Sequence, residues 1–215
     1  RGGMIHLLDV PKNTAFATAG FRAPAVWFDD PSLEMTTIGR YHPGADARPS
    51  VFLRFVPGSR GFDSVPQPVL DGVLHAETAM SRSDPRAARA ALERALSLAR
   101  LGVSDFERNE IVNSLGFAAA ASGDTATARR LWRGILARDP DHPGALVNLA
   151  VVEADAGRFA DARRLVRRML SRTPDDRKGP HLLVRLDRAL GDSVAVESDW
   201  SRLAQNFQVG GRIGS

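Results

Sequence analysis

The rhythm of hydrophobic positions changes near residue 68. From Arg1 to Pro68 the apolar residues come in short runs, Ile5 to Val10, Ala25 to Phe28, Met35 to Tyr41 and Val51 to Val56, interrupted by eight prolines and seven glycines. Proline lacks an amide donor and breaks a helix interior, so this spacing excludes long helices and predicts short strands joined by turns. In the last run Val51, Leu53 and Phe55 alternate with Phe52 and Val56, which predicts a strand with apolar side chains buried on both faces. Residues 1–68 therefore read as an irregular proline/glycine-rich arm with a few short strands, or as a small β-rich module.

From Val69 onward the apolar spacing becomes helical. Asp84-Pro85 pairs an N-cap with a proline at the first helical position, where its missing N–H costs nothing. The helix it starts carries the stripe Ala87, Ala88, Ala91, Leu92, Ala95, Leu96 and Ala99 and stops at Gly102. Ser104, with Glu107 three residues later, forms a capping-box pattern that predicts a second helix from Asp105 to Ala121, with Glu107, Arg108 and Glu110 on its exposed face.

A period of 34 residues organises the remainder of the chain. Leu115, Leu149 and Leu183 keep that spacing, as do Gly123, Gly157 and Gly191, then Ala128, Ala162 and Val196, then Trp132, Val166 and Trp200, and finally Pro140 and Pro174. The glycines fall between helical runs, where a left-handed residue joins two helices tightly. Ala128 and Ala162 allow close helix approach, and Trp132 and Trp200 fill the wider space one turn further on. This pattern resembles the tetratricopeptide repeat, with Leu115-Gly116, Gly123, Ala128, Trp132 and Pro140 as the best unit. The next is Leu149-Ala150, Gly157, Ala162, Val166 and Pro174, and a degenerate terminal one has Leu183-Val184, Gly191, Val196, Trp200 and then Gln208 where proline would close it. A weaker unit with Ala76, Ala88 and Leu92 precedes these, offset by 40 residues instead of 34.

The resemblance covers about residues 69–209, with 210–215 left as a flexible tail. It implies a mainly α fold: a right-handed α-α superhelix of three to four helix pairs, preceded by the arm. It also implies a concave side, lined by first helices, that holds a protein or peptide. By that analogy the partner-binding residues are Asn113 and Phe117, then Val147, Asn148 and Val151, then His181 and Arg185. Packing of Phe117 and Val151 between neighbouring helices, and bridging of helices by Asn148, are the competing assignments. Gly144, Val147, Val151 and Phe117 stand where polar clamp residues would be wanted, so clamping of a C-terminal carboxylate is not expected. Arg163, Arg164, Arg167 and Arg168 fall on a second helix, which the resemblance turns outward. They read as a solvated face with Asp161 and Glu153 nearby, in preference to an anionic docking patch.

Composition narrows the chemistry. The 215 residues are 43% hydrophobic and 25% charged, an ordinary balance for a chain with a core. Zero cysteines exclude disulfides, thiolate metal sites and cysteine nucleophiles. Twenty-nine basic residues, all but Lys12 and Lys178 arginine, face 25 acidic ones for a net charge of +4, and no segment is a basic tail. Nucleic-acid binding is therefore not expected. No apolar run approaches the ~18 residues of a membrane span, so the chain reads as soluble.

Catalytic patterns are absent from the sequence. His6, His42, His75, His142 and His181 form no HExxH or i, i+4 pair, and His142 before Pro143 reads as a turn residue. Gly58-Ser59-Arg60-Gly61 lacks the spacing of a nucleophile elbow, and Asp29-Asp30-Pro31-Ser32 reads as a turn before it reads as a cation site. The expected function is a non-enzymatic scaffold for protein–protein interaction, or an accessory subunit of a larger assembly, a membrane-associated one included, with no cofactor and no metal. The alternative is a regulatory or localising C-terminal domain of a larger enzyme or membrane protein whose catalytic part lies upstream of Arg1. The lack of cysteine favours an extracytoplasmic, periplasmic bacterial setting over the cytoplasm.

Overall fold

A computed structural model describes residues 4–8, 34–37, 50–55, 62–99, 102–174, 176 and 179–199. The chain divides into two compact units, Arg1–Ser114 and Leu115–Ser215. The expected strand Ala25 to Phe28, the Asp29 to Ser32 and Gly58 to Gly61 turns, Trp200, Gln208 and the tail 210–215 lie outside the described residues.

The first unit holds a four-stranded sheet made of β1 (Met4–Leu8), β2 (Glu34–Thr37), β3 (Ser50–Phe55) and β4 (Phe62–Val65), in the order β2-β1-β3-β4. β1 is central, parallel to both neighbours, and β3 and β4 pair antiparallel. The register sets His6 beside Phe52, and the two rings stack with centroids 4.7 Å apart. Both are buried, together with Met4, Leu8 and Val65. The expectation of a strand buried on both faces is corrected here: Phe52 is 1% exposed but Val51, pointing the other way, is 52% exposed. Successive side chains on a strand point to opposite faces, and among the described residues this strand's core lies on the Phe52 face only.

Helices come next. α1 (Gln67–Ser81) begins directly after Pro66, and Pro68 sits in its first turn, so two of the prolines that read as arm residues in fact start a helix. α2 (Pro85–Leu98) starts as the Asp84-Pro85 pattern predicts, the Asp84 carboxylate accepting the Ala87 amide at 3.0 Å. α3 (Asp105–Ala121) has the predicted bounds, and Ser104 Oγ accepts the Glu107 amide at 3.2 Å. The side chains on that first turn are not the exposed face that was expected. Glu107 is 1% exposed and its carboxylate meets Arg54 of β3 at 3.0 Å, while Arg108 donates to the Ala99 carbonyl at 2.9 Å. A non-local arginine and an open helix end supply partners that the capping pattern alone does not reveal.

The second unit continues with α4 (Thr125–Arg138), α5 (Pro143–Asp155), α6 (Phe159–Arg172), α7 (Gly179–Ala189) and a further helix whose described residues are 193–199. The fold is mainly α, as expected. Ala128, Ala150, Ala162, Trp132 and Val166 are all at most 1% exposed, and Leu146, Met169, Leu183 and Leu186 complete a core between α5, α6 and α7. The repeat glycines Gly123, Gly157 and Gly191 have φ of +87°, +76° and +71°, the left-handed conformation that the tight turn requires. Each turn closes with the same bonds. The amide one residue beyond the glycine reaches back to Ala119, Glu153 or Asp187, and the glycine's own amide reaches Ala120, Ala154 or Arg188.

The weaker first unit shares this turn. Ser83 takes the glycine's place at φ 59°, the Asp84 amide reaches the Ala79 carbonyl and the Ser83 amide reaches Met80. The 40-residue offset from Ser83 to Gly123 is thus the distance between two equivalent turns.

Candidate partner-binding site

Seven side chains on the first helices form the candidate site, and the 34-residue period puts them in register. Asn113, Val147 and His181 are equivalent positions, and so are Phe117, Val151 and Arg185, each one turn after its partner on α3, α5 or α7. Phe117 is 52% exposed and Val151 42% exposed, so neither is absorbed between neighbouring helices. His181 and Arg185 are exposed as well, whereas Asn113, Val147 and Asn148 are half-buried. Val147 packs against the core cluster and so supports the surface from beneath.

The local sequence explains why these side chains face outward. On α5, Ala145, Leu146, Leu149, Ala150 and Val152 take the buried positions, which leaves Val151 on the opposite side of the helix. On α3 the small residues Ala118 and Ala119 are buried, and Phe117 beside them projects away. His142 opens α5 as its N-cap: its Nδ1 accepts the Ala145 amide at 3.2 Å, and the ring is 2% exposed. The expected turn residue is thus also a buried cap that fixes where α5 begins.

Charge repeats with the same period. Glu153, buried on α5, accepts from Arg129 at 2.8 Å, from Arg133 at 3.3 Å and from Arg158. Thirty-four residues on, Asp187 on α7 is 0% exposed and accepts from Arg163 at 2.9 Å, and Arg163 also reaches Asp192 at 3.0 Å. Arg129 and Arg163 are equivalent, as are Glu153 and Asp187, so an arginine of one second helix holds the buried carboxylate of the next first helix, twice over. Burial pushes the Glu153 carboxyl up, but the bonds from Arg158 and Arg129 outweigh it and hold the group below its ordinary value. The Asp187 and Asp192 bonds raise Arg163 further. These links were readable as a 34-residue spacing of Arg129 with Arg163 and Glu153 with Asp187, a signal hidden because the apolar positions carry the repeat.

The arginine run on α6 is tied to acids. Arg164 meets Asp161 at 2.6 Å, and Arg168 and Arg172 meet Asp141 at 2.9 and 2.8 Å. Between α4 and α6 lies a groove of about 440 Å³, floored by Leu149 and Leu165 and edged by Arg133, Arg164 and Arg168, with Glu153 and Asp161 at its side. Among the described residues no group of three or more His, Cys, Asp or Glu side chains is placed to hold a metal ion, and no helix is long and apolar enough to cross a membrane.

Comparison with known proteins agrees with the geometry. Residues 119–186 match the family model described as tetratricopeptide repeat. No curated protein matches the sequence significantly. Among solved structures, a tetratricopeptide repeat protein from Parabacteroides merdae superposes with a TM-score of 0.57 at 15% identity, over 65% of this chain and 54% of that one. The present chain thus matches about half the length of that protein. A MamA protein superposes with a TM-score of 0.57 at 15% identity, over 68% of this chain and 77% of that one. MamA from Desulfovibrio magneticus RS-1 gives 0.55 at 15%, over 66% and 76%. At such identity the likeness is one of fold. Residues 119–186 thus match the tetratricopeptide-repeat model, and the helical repeats around them share the fold of these solved structures.

Proposed function

We propose that the first-helix surface carrying Asn113, Phe117, Val147, Asn148, Val151, His181 and Arg185 holds a protein or peptide partner, and that the chain is a non-catalytic scaffold or accessory subunit of a larger assembly. One observation carries this reading. Phe117 and Val151, large and apolar, occupy equivalent positions of successive repeats and remain 52% and 42% exposed although smaller neighbours are fully buried. Full burial of such a side chain is worth about 1.5–3 kcal/mol, and one that is half exposed leaves roughly half of that for a partner to supply. Placing two such side chains on adjacent first helices makes a short apolar track, with the exposed His181 and Arg185 beyond it for polar contact.

The test is capture of partners from the native source by tagged chain, comparing wild type with Phe117→Arg plus Val151→Arg. Both sites are exposed, so helical content by circular dichroism should not change. A stoichiometric partner lost in the double variant supports the surface as the site. A partner retained by that variant but lost when residues 1–68 are deleted would move the function to the N-terminal segment.

A further inference from the structure

Segment-by-segment charge conceals a division between the two helices of the α3–α4 and α5–α6 repeats. Within their bounds α4 carries Arg129, Arg130, Arg133 and Arg138 and no acid, and α6 carries five arginines against Asp161 alone. The intervening α5 has Glu153 and Asp155 and no base, and α3 has three acids against Arg108. In these two repeats an acidic first helix offsets a strongly basic second one, whereas in the third the order reverses, α7 carrying Arg185 and Arg188 against Asp187. The arginines thus gather on the second-helix face of the second unit, on the helices that flank the 440 Å³ groove.

We propose that this groove docks an acidic protein segment that also carries aliphatic side chains, at a surface distinct from the first-helix site. Arg133, Arg164 and Arg168 supply the charge at its edge, with side chains 64%, 77% and 50% exposed. Their bonds to Glu153, Asp161 and Asp141 occupy only part of each guanidinium's five donors. The Arg164–Asp161 and Arg168–Asp141 pairs are exposed, worth little and exchange readily for a partner's carboxylates, while Arg133 keeps its bond to the buried Glu153. Leu149 and Leu165 give the floor an apolar surface that a purely electrostatic ligand would not use. The carboxylates interspersed among the arginines interrupt any continuous track for a phosphate backbone, and among the described residues no aromatic side chain lines the groove to stack a base. A lipid surface fits no better: the large exposed hydrophobics among the described residues are Val51, Leu98, Phe117, Val151, Leu190 and Val194, none of them on α4 or α6.

The experiment is fluorescence anisotropy of the full chain with a fluorescein-labelled peptide of about 16 residues, glutamate with leucine at every fourth position, at ~50 mM salt. Saturable binding is expected, weakened about tenfold or more by Arg164→Glu plus Arg168→Glu and to a smaller degree by Arg164→Gln plus Arg168→Gln. A leucine-free peptide of equal charge should bind about fivefold more weakly. Phe117→Ser plus Val151→Ser, which adds no charge, should not weaken this binding, which separates this surface from the first-helix site. The proposal fails if no saturable binding is seen, if the leucine-free peptide binds equally well, or if the Phe117 and Val151 variant is weakened as much as the arginine variant. It also fails if phosphatidylglycerol vesicles or duplex DNA of equal charge displace the peptide more effectively than the unlabelled peptide does.

Discussion

The indole of Trp132 lies directly over the Cα of Gly116. A Cβ added at residue 116 would stand 2.6 Å from Nε1 and 2.7 Å from Cε2 of that ring, which is itself 1% exposed. Glycine in the first helix and tryptophan in the second are therefore one feature of the repeat: the missing side chain makes the space that the ring fills.

Gly116→Ala should then destabilise the chain by about 1–3 kcal/mol, through overpacking, despite alanine's better helix propensity. Chemical denaturation measures it, and Trp132→Phe in the same chain should recover part of the loss. An alanine variant as stable as wild type would mean that the ring can move aside at no cost.

Ser83 holds a left-handed conformation that its repeat equivalents assign to glycine. Replacing it should help where replacing a glycine harms. Ser83→Gly is expected to stabilise by up to about 1 kcal/mol, net of the extra freedom glycine gains in the unfolded chain, and Gly157→Ala to destabilise by about 1–2 kcal/mol. Paired thermal melts would show opposite shifts.

Acid should weaken the array through Glu153. Its carboxyl is held below the ordinary value of 4.5, so the folded state favours the ionised form. The stability this confers is complete above about pH 4.5 and is lost as pH falls through the lowered folded value. Asp192 acts in the same direction, through the Ala195 amide and then Arg163. Glu153→Gln should lower stability at neutral pH and flatten its decline in acid, read from urea midpoints between about pH 6 and pH 3. An unchanged slope would leave the decline to other carboxylates.

His142→Ala removes the acceptor at the start of α5 and should cost about 1 kcal/mol or more, since a buried ring is lost with the cap. His142→Asn keeps an acceptor and should recover part of it. Equal loss in both variants, by thermal unfolding, would assign the residue's role to packing.

Much of the helical part of the chain was legible in the sequence. Asp84-Pro85, Ser104 and the repeat glycines mark helix ends because a cap or a left-handed residue acts on backbone groups within a few positions of itself. The period exposed Ala128, Ala162 and Trp132 as interior residues for a similar reason: equivalent neighbours recur at equal distances. The candidate site was legible as positions, but not as exposure. Whether Phe117 and Val151 pack or project depends on how closely the adjacent helices approach, which no spacing records.

Helix boundaries, the repeat and its turns were all written in the order of residues, since each arises from interactions between groups near one another in the chain. Three relationships came only with the folded chain: Glu107 is buried against Arg54, Val51 faces outward while Phe52 lies under His6, and Glu153 gathers three arginines. The energy of a buried charge or an apolar face depends on which distant segment covers it, and that is settled only when the elements meet.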